Sequence, residues 1–176
     1  MTEKSIDKKG RIADFLPLIE AADGLTLSQV CALSALEPST IQNWIKRGYV
    51  PHPVGKKYRE RHLARILLIA QLRESMPIER IGELLTYING DADDESDDII
   101  TEQALYDLFL TIAERLEETY PTPDGAGEIA ESVLEDASVQ PEHREKIACA
   151  LHIMACTHLS NIYKQKAHTL FIERKQ

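Results

Sequence analysis

The side chains with the most evident chemical potential are cationic. Between Ile41 and Arg73 stand Lys46, Arg47, Lys56, Lys57, Arg59, Arg61, Arg65 and Arg73, against the single acid Glu60. Such a stripe is either a solvated face or a surface that neutralises phosphates. Amides and hydroxyls precede it. Gln42 and Asn43 can contact adenine through paired donor and acceptor atoms, and Ser39 and Thr40 add hydroxyls. The chemistry on offer is recognition of a nucleic acid. Ser39, Thr40, Gln42 and Asn43 are the candidates for base contact. Lys46, Arg47, Lys56, Lys57, Tyr58, Arg59 and Arg61 are the candidates for phosphate contact, with packing equally open for Tyr58.

A second constellation lies near the other end. Cys149, His152 and Cys156 fall at i, i+3 and i+7, so one helical face presents two thiols and an imidazole. Zinc or copper accepts such ligands. The flanking residues are apolar, however, and cysteine is a common small buried residue, so packing is the favoured reading and no metal or other cofactor is expected. Asp91 to Asp98 holds six acids in eight residues. It lacks the spaced glycine and terminal glutamate of a calcium loop, and it reads as solvated. No phosphate-cradling glycine loop, nucleophile elbow or metalloprotease helix is present, so no enzymatic activity is expected.

The whole-chain charge first argues against a nucleic-acid partner. The 176 residues carry a formal charge of −9, a field that repels phosphate. Divided along the chain, residues 1–90 carry +3 and residues 91–176 carry −12. No run of 18 apolar residues exists, so no membrane span is expected, and three cysteines fit a reducing cytoplasm.

Helices must position these groups. Ile12, Phe15, Leu16 and Ile19 are spaced for a helix over 11–22, which Pro17 would divide and Asp23-Gly24 would stop. Thr26 and Gln29 form a capping box for a short helix, Ala35-Leu36-Glu37 is a turn, and Pro38 opens a second helix ending at Gly48. Ile41, Trp44 and Ile45 should face inward, leaving Gln42, Asn43, Lys46 and Arg47 outward. Pro51, Pro53 and Gly55 make 49–57 an extended excursion. A helix from Tyr58-Arg59 carries Leu63, Ile66 and Leu67; another from Pro77 carries Ile81, Leu84, Leu85 and Ile88 and stops at Asn89-Gly90. Beyond the acids, Leu105 to Leu116 is helical, Pro121 to Gly127 breaks it, and Ile129 to Ala137 marks a shorter helix. Pro141 begins a long one reaching Ile172, apolar nearly all round over 147–159.

The order helix, tight turn, helix, Pro/Gly excursion, helix, helix is that of a winged helix-turn-helix. Leu25-Thr26-Leu27-Ser28-Gln29-Val30, Glu37-Pro38-Ser39-Thr40-Ile41-Gln42-Asn43-Trp44-Ile45-Lys46-Arg47-Gly48 and Lys56-Lys57-Tyr58 resemble a MerR-type DNA-binding domain. Leu63 to Ile69 and Ile78 to Leu85 extend the resemblance over about residues 25–90. The whole chain, with Tyr87-Ile88-Asn89-Gly90 and Asp97-Asp98-Ile99-Ile100, more closely resembles a MerR-like bacterial family of unknown function (domain of unknown function 1836). Gln42 stands where the MerR pattern usually has arginine and Trp44 where it has tyrosine, so no operator sequence transfers.

The periodicity, the acid run and the resemblance together give the expectation of an all-α chain: an N-terminal helical segment (1–24), a MerR-like winged helix-turn-helix domain (25–90), an acidic connector (91–99) and a helical effector or dimerisation domain (100–176). The resemblance implies a homodimer on a two-fold, double-stranded DNA operator, regulating transcription, with an unknown effector on the C-terminal half. The alternative is a protein-interaction module whose helix-turn-helix no longer binds DNA.

Overall fold

The computed structural model describes residues 10–174; the expected N-terminal segment lies partly outside them. The described residues are all-α: α1 (Ile12–Ala21), α2 (Leu27–Ser34), α3 (Pro38–Lys46), α4 (Glu60–Leu72), α5 (Ile78–Asn89), α6 (Glu102–Thr119), α7 (Pro123–Glu135) and α8 (Arg144–Glu173), with 3-10 turns at Glu95–Asp97 and Pro141–His143. No described helix is long and apolar enough to cross a membrane.

Local chemistry sets the element ends. The Thr26 hydroxyl accepts the Gln29 N–H while the Gln29 side chain accepts the Thr26 N–H, closing the capping box at α2. Ala35 turns the chain in the left-handed region at φ 55°. Pro38 is the first residue of α3, and Gly48 at φ 74° lets the Tyr49 N–H reach the Trp44 carbonyl at 2.9 Å, which closes its last turn. Pro17 does not divide α1. It sits on the exposed side of one continuous helix. The break expected up to Gly127 ends sooner, because Thr122 caps α7 and Pro123 fills its first position. Gly127 belongs inside that helix for a packing reason: a Cβ there would stand 2.8 Å from the His152 ring.

α4 is the axis of the molecule. His62 to Ala70 and Leu72 are all buried, because α4 packs against α1, α2, α5, α6 and α8. Its arginine overturns one expectation. Arg65, counted among the surface cations, is 2% exposed, and its guanidinium pairs with Glu102 of α6, which is 3% exposed. Its Nε donates to the Tyr49 carbonyl at 2.7 Å.

The acidic stretch is largely exposed, as its charge requires, yet it is moored. Asp93 accepts the His52 backbone N–H at 2.7 Å and pairs with the His52 ring at 2.8 Å. Glu95 pairs with Arg61, and Ala92 is buried with its carbonyl accepting from the same guanidinium. Behind it Asn89, 1% exposed, clamps the chain: its Nδ2 donates to the Ile100 carbonyl and its Oδ1 accepts from Ile99. Gly90 has φ 64° and ψ −133°, and any Cβ there would collide with Asp97.

α8 differs from expectation in its middle. Ile147, Leu151, Met154 and Leu159 are buried against α6 and α7, but Cys149, His152 and Ile153 are exposed. α7 and α5 border that side without covering it: the His152 ring lies over Gly127, and Cys149 and Ile153 face Leu84 and Tyr87 across a groove. From Tyr163 to Arg174 every residue is exposed, although Tyr163 and Lys164 still donate to the Tyr120 and Glu74 carbonyls.

Candidate functional site

α3 sorts its residues by period. Ile41 (0% exposed) and Trp44 (5%) enter the core, and the Arg73 guanidinium covers the Trp44 ring at 5.5 Å. Ser39, Gln42, Asn43 and Lys46 are exposed, and Thr40 is half-buried. Among the described residues no hydrogen bond ties the side chains of Gln42, Asn43 and Lys46, so one face of α3 offers two amides and an ammonium group to solvent.

The excursion after α3 is a tight hairpin. Val54 and Lys57 form an antiparallel bridge, with the Lys57 N–H on the Val54 carbonyl at 3.0 Å. Gly55 and Lys56, at φ 59° and 64°, supply the two left-handed positions that a two-residue hairpin turn demands. Lys56 therefore projects from the tip, exposed. A second bridge, Leu25 to Tyr58, has both backbone hydrogen bonds at 2.8 Å and ties the hairpin's return arm to the entry of α2.

The other expected phosphate ligands are engaged. Tyr58 is corrected from the surface to the core: it is 3% exposed, its ring stands edge-on to His62, and burial raises its hydroxyl pKa. The Lys57 ammonium donates to the Ala22 and Gly24 carbonyls. Arg59 pairs with Asp23 at 2.8 Å with both groups well exposed. Arg61 is 17% exposed and fixed between Glu95 and the Ala92 carbonyl. Arg47 stacks on Tyr49 and pairs with Glu79 at 2.8 Å, a contact that holds the Glu79 carboxyl below its ordinary range. The Tyr49 ring in turn lies on Gly82 of α5. This Arg47–Tyr49–Glu79–Gly82 cluster was not visible in the sequence, although a glycine inside a strong helical pattern is a signal of close approach.

The thiol constellation does not assemble. Cys149 and His152 are exposed and Cys156 is half-buried, with the His152 ring and the Cys156 thiol both directed at the Pro123 carbonyl. All three cysteines are unpaired, and among the described residues no group of three metal-ligating side chains converges. Packing explains Cys156, whose thiol pKa is raised by burial. Cys149 instead lines a groove of about 420 Å³ with Met76, Leu84, Tyr87 and Ile153, a surface feature unanticipated at that position.

Residues beyond the expected set line a cleft of about 700 Å³ between α6, the loop after α7 and the segment 98–101. It is lined by Arg11, Asp98, Asp107, Leu108 and Val139 among others.

One curated relative, "Uncharacterized protein YkrK" of Bacillus subtilis (strain 168), is 27% identical over 122 residues, which cover 67% of this chain and 52% of the relative. The chain thus spans about half the length of the curated relative it matches. No solved structure matches it. A family model, Domain of unknown function (DUF1836), matches residues 21–109, from the end of α1 into the middle of α6. Its match covers α2 through α5 and the half of α6 that supplies Glu102, so the chain belongs to the DUF1836 family.

Proposed function

We propose that this chain is a cytoplasmic, sequence-specific double-stranded DNA-binding regulator of transcription, of the MerR-like winged helix-turn-helix kind, acting as a homodimer. The observation that carries the reading is the exposed outer face of α3, unpartnered among the described residues, together with the hairpin tip. Gln42, Asn43 and Lys46 stand exposed over the buried Ile41 and Trp44, and Lys56 is presented by two consecutive left-handed residues. In a helix-turn-helix the second helix enters the major groove, its exposed side chains read base edges, and the wing and flanking cations grip phosphates. α2, the Ala35–Glu37 turn and α3 supply the first part, and residues 49–57 the second.

The side-chain partners divide the cations by role. Lys46 and Lys56 meet phosphate first. Arg47 and Arg59 sit in exposed ion pairs, which are worth at most about 1 kcal/mol, so a phosphate displaces Glu79 or Asp23 at little cost. Lys57 and Arg61 hold the fold. Asn43→Ala is expected to cost roughly 1–3 kcal/mol on the correct site alone, and Lys46→Ala to weaken binding on all DNA and lower the log–log salt slope by about 0.9. Both are read by titrating labelled duplex at several salt concentrations. Uniform weakening by Asn43→Ala removes its base-reading role.

The second reading, a protein-interaction module, has its own support in the apolar groove at Met76, Leu84, Tyr87, Cys149 and Ile153. Sequencing the genomic fragments retained by the purified protein at moderate salt separates the two. Enriched fragments support the regulator; weak, salt-sensitive retention without enrichment supports the module.

A further inference from the structure

We propose that the 700 Å³ cleft between α6 and the loop after α7 binds a small organic cation: an amine carried on an apolar body. Its volume lies in the range of sites that enclose drug-sized ligands. Ile99, Ala104, Leu108, Ala137 and Val139 give it apolar walls. Its charged groups are Arg11, Glu95, Asp98 and Asp107, three carboxylates against one guanidinium.

Their existing partners decide which of them can take a ligand. Arg11 is spent, donating to the Asp107 carbonyl and the Thr111 hydroxyl at 3.1 Å each and pairing with Glu114. Glu95 belongs to Arg61. Asp107 accepts the Ile12 backbone N–H at 3.3 Å. The Asp98 carboxylate has no hydrogen bond or ion pair from any described side chain, and burial, with Glu102 nearby, pushes its carboxyl up to about 6. At neutral pH it is thus an anion beside apolar walls, and the two guanidinium groups whose charges reach it, Arg61 and Arg65, are committed to Glu95 and Glu102. A ligand that brings a positive charge to Asp98 relieves that cost, and its apolar body covers Ile99, Leu108 and Val139. An anionic ligand meets the opposite field. A bare metal ion finds no convergent donor set among the described residues. This inference does not depend on the DNA reading.

The test uses the full-length chain and dansylcadaverine, a fluorescent primary amine, with its N-acetyl derivative as the neutral control. Saturable binding of the amine at low ionic strength is expected, with the acetylated probe about tenfold weaker, the worth of one charge-assisted contact. Asp98→Asn should weaken the amine about tenfold and leave the acetylated probe unchanged. Ala104→Trp, which fills the cleft, should weaken both. Circular dichroism of each variant establishes that it is folded. Absence of saturable binding overturns the proposal, as does equal affinity for the two probes. Binding that survives both substitutions in folded protein also overturns it, because the probe then sits elsewhere.

Discussion

Truncating Glu102 to alanine would leave the Arg65 guanidinium buried with the Tyr49 carbonyl as its remaining partner. Removing one member of a buried ion pair costs about 3–5 kcal/mol, whereas replacing both by apolar groups of similar size is often neutral. Glu102→Ala is therefore expected to lower the urea midpoint sharply, and Arg65→Met with Glu102→Leu to recover most of it. Asp98 predicts a pH effect of defined sign. Its carboxyl is raised from 3.8 to about 6 in the folded chain, so the folded state holds that proton more tightly than the unfolded one. The stabilisation is complete below about pH 3.8 and is lost as pH rises through about 6. Asp98→Asn should thus melt higher than the parent at pH 7.5, with the gain gone by pH 4 in a thermal scan. Neither residue could be singled out in the sequence. An arginine inside an apolar helical run reads the same whether it reaches water or a buried glutamate, and one aspartate among six acids carries no mark of burial. The outward Gln42, Asn43 and Lys46 were legible because helical period alone places them opposite Ile41 and Trp44.

Element ends were the most readable part of the chain, since capping and turn residues act within a few positions. Thr26 with Gln29, Pro38, Gly48 and Asn89-Gly90 all fall at observed boundaries. What lies between elements was not readable, because it depends on residues distant in the chain. The hairpin's return arm needs Leu25, the acidic stretch needs His52 and Arg61, and α5 needs Tyr49. Gly82 shows the difference. By propensity alone, Gly82→Ala inside α5 should stabilise by roughly 0.5–1 kcal/mol. The added Cβ would stand 2.5 Å from the Tyr49 ring, on which Arg47, itself paired with Glu79, is stacked. Overpacking of this kind costs about 1–3 kcal/mol, so the substitution is expected to destabilise, as a lower midpoint in chemical denaturation. Tyr49→Ala in the same background should shrink the penalty, which a double-mutant cycle measures.

At the scale of the molecule, the charge divides as +3 and −12 at the acidic stretch, but the packing does not divide there. α6 lies against α1 and α4, and one continuous set of buried side chains runs from Ile12 to Leu159. A chain cut after Gly90 is expected to lose its cooperative thermal transition, followed by circular dichroism, while the full chain shows a single one. A cut chain that still melts cooperatively would mean that α4 is satisfied without α6. Charge and composition reveal where a chain meets water, and they are silent about which helix faces are shared. The shared face has an evolutionary consequence. A crossover within the acidic stretch would separate the inheritance of Arg65 from that of Glu102, and a recombinant without an acid at 102 would carry the buried, unpaired guanidinium described above. The family match spans that stretch and ends inside α6, past Glu102, so both partners of the buried pair fall within the matched residues although the stretch between them looks like a seam.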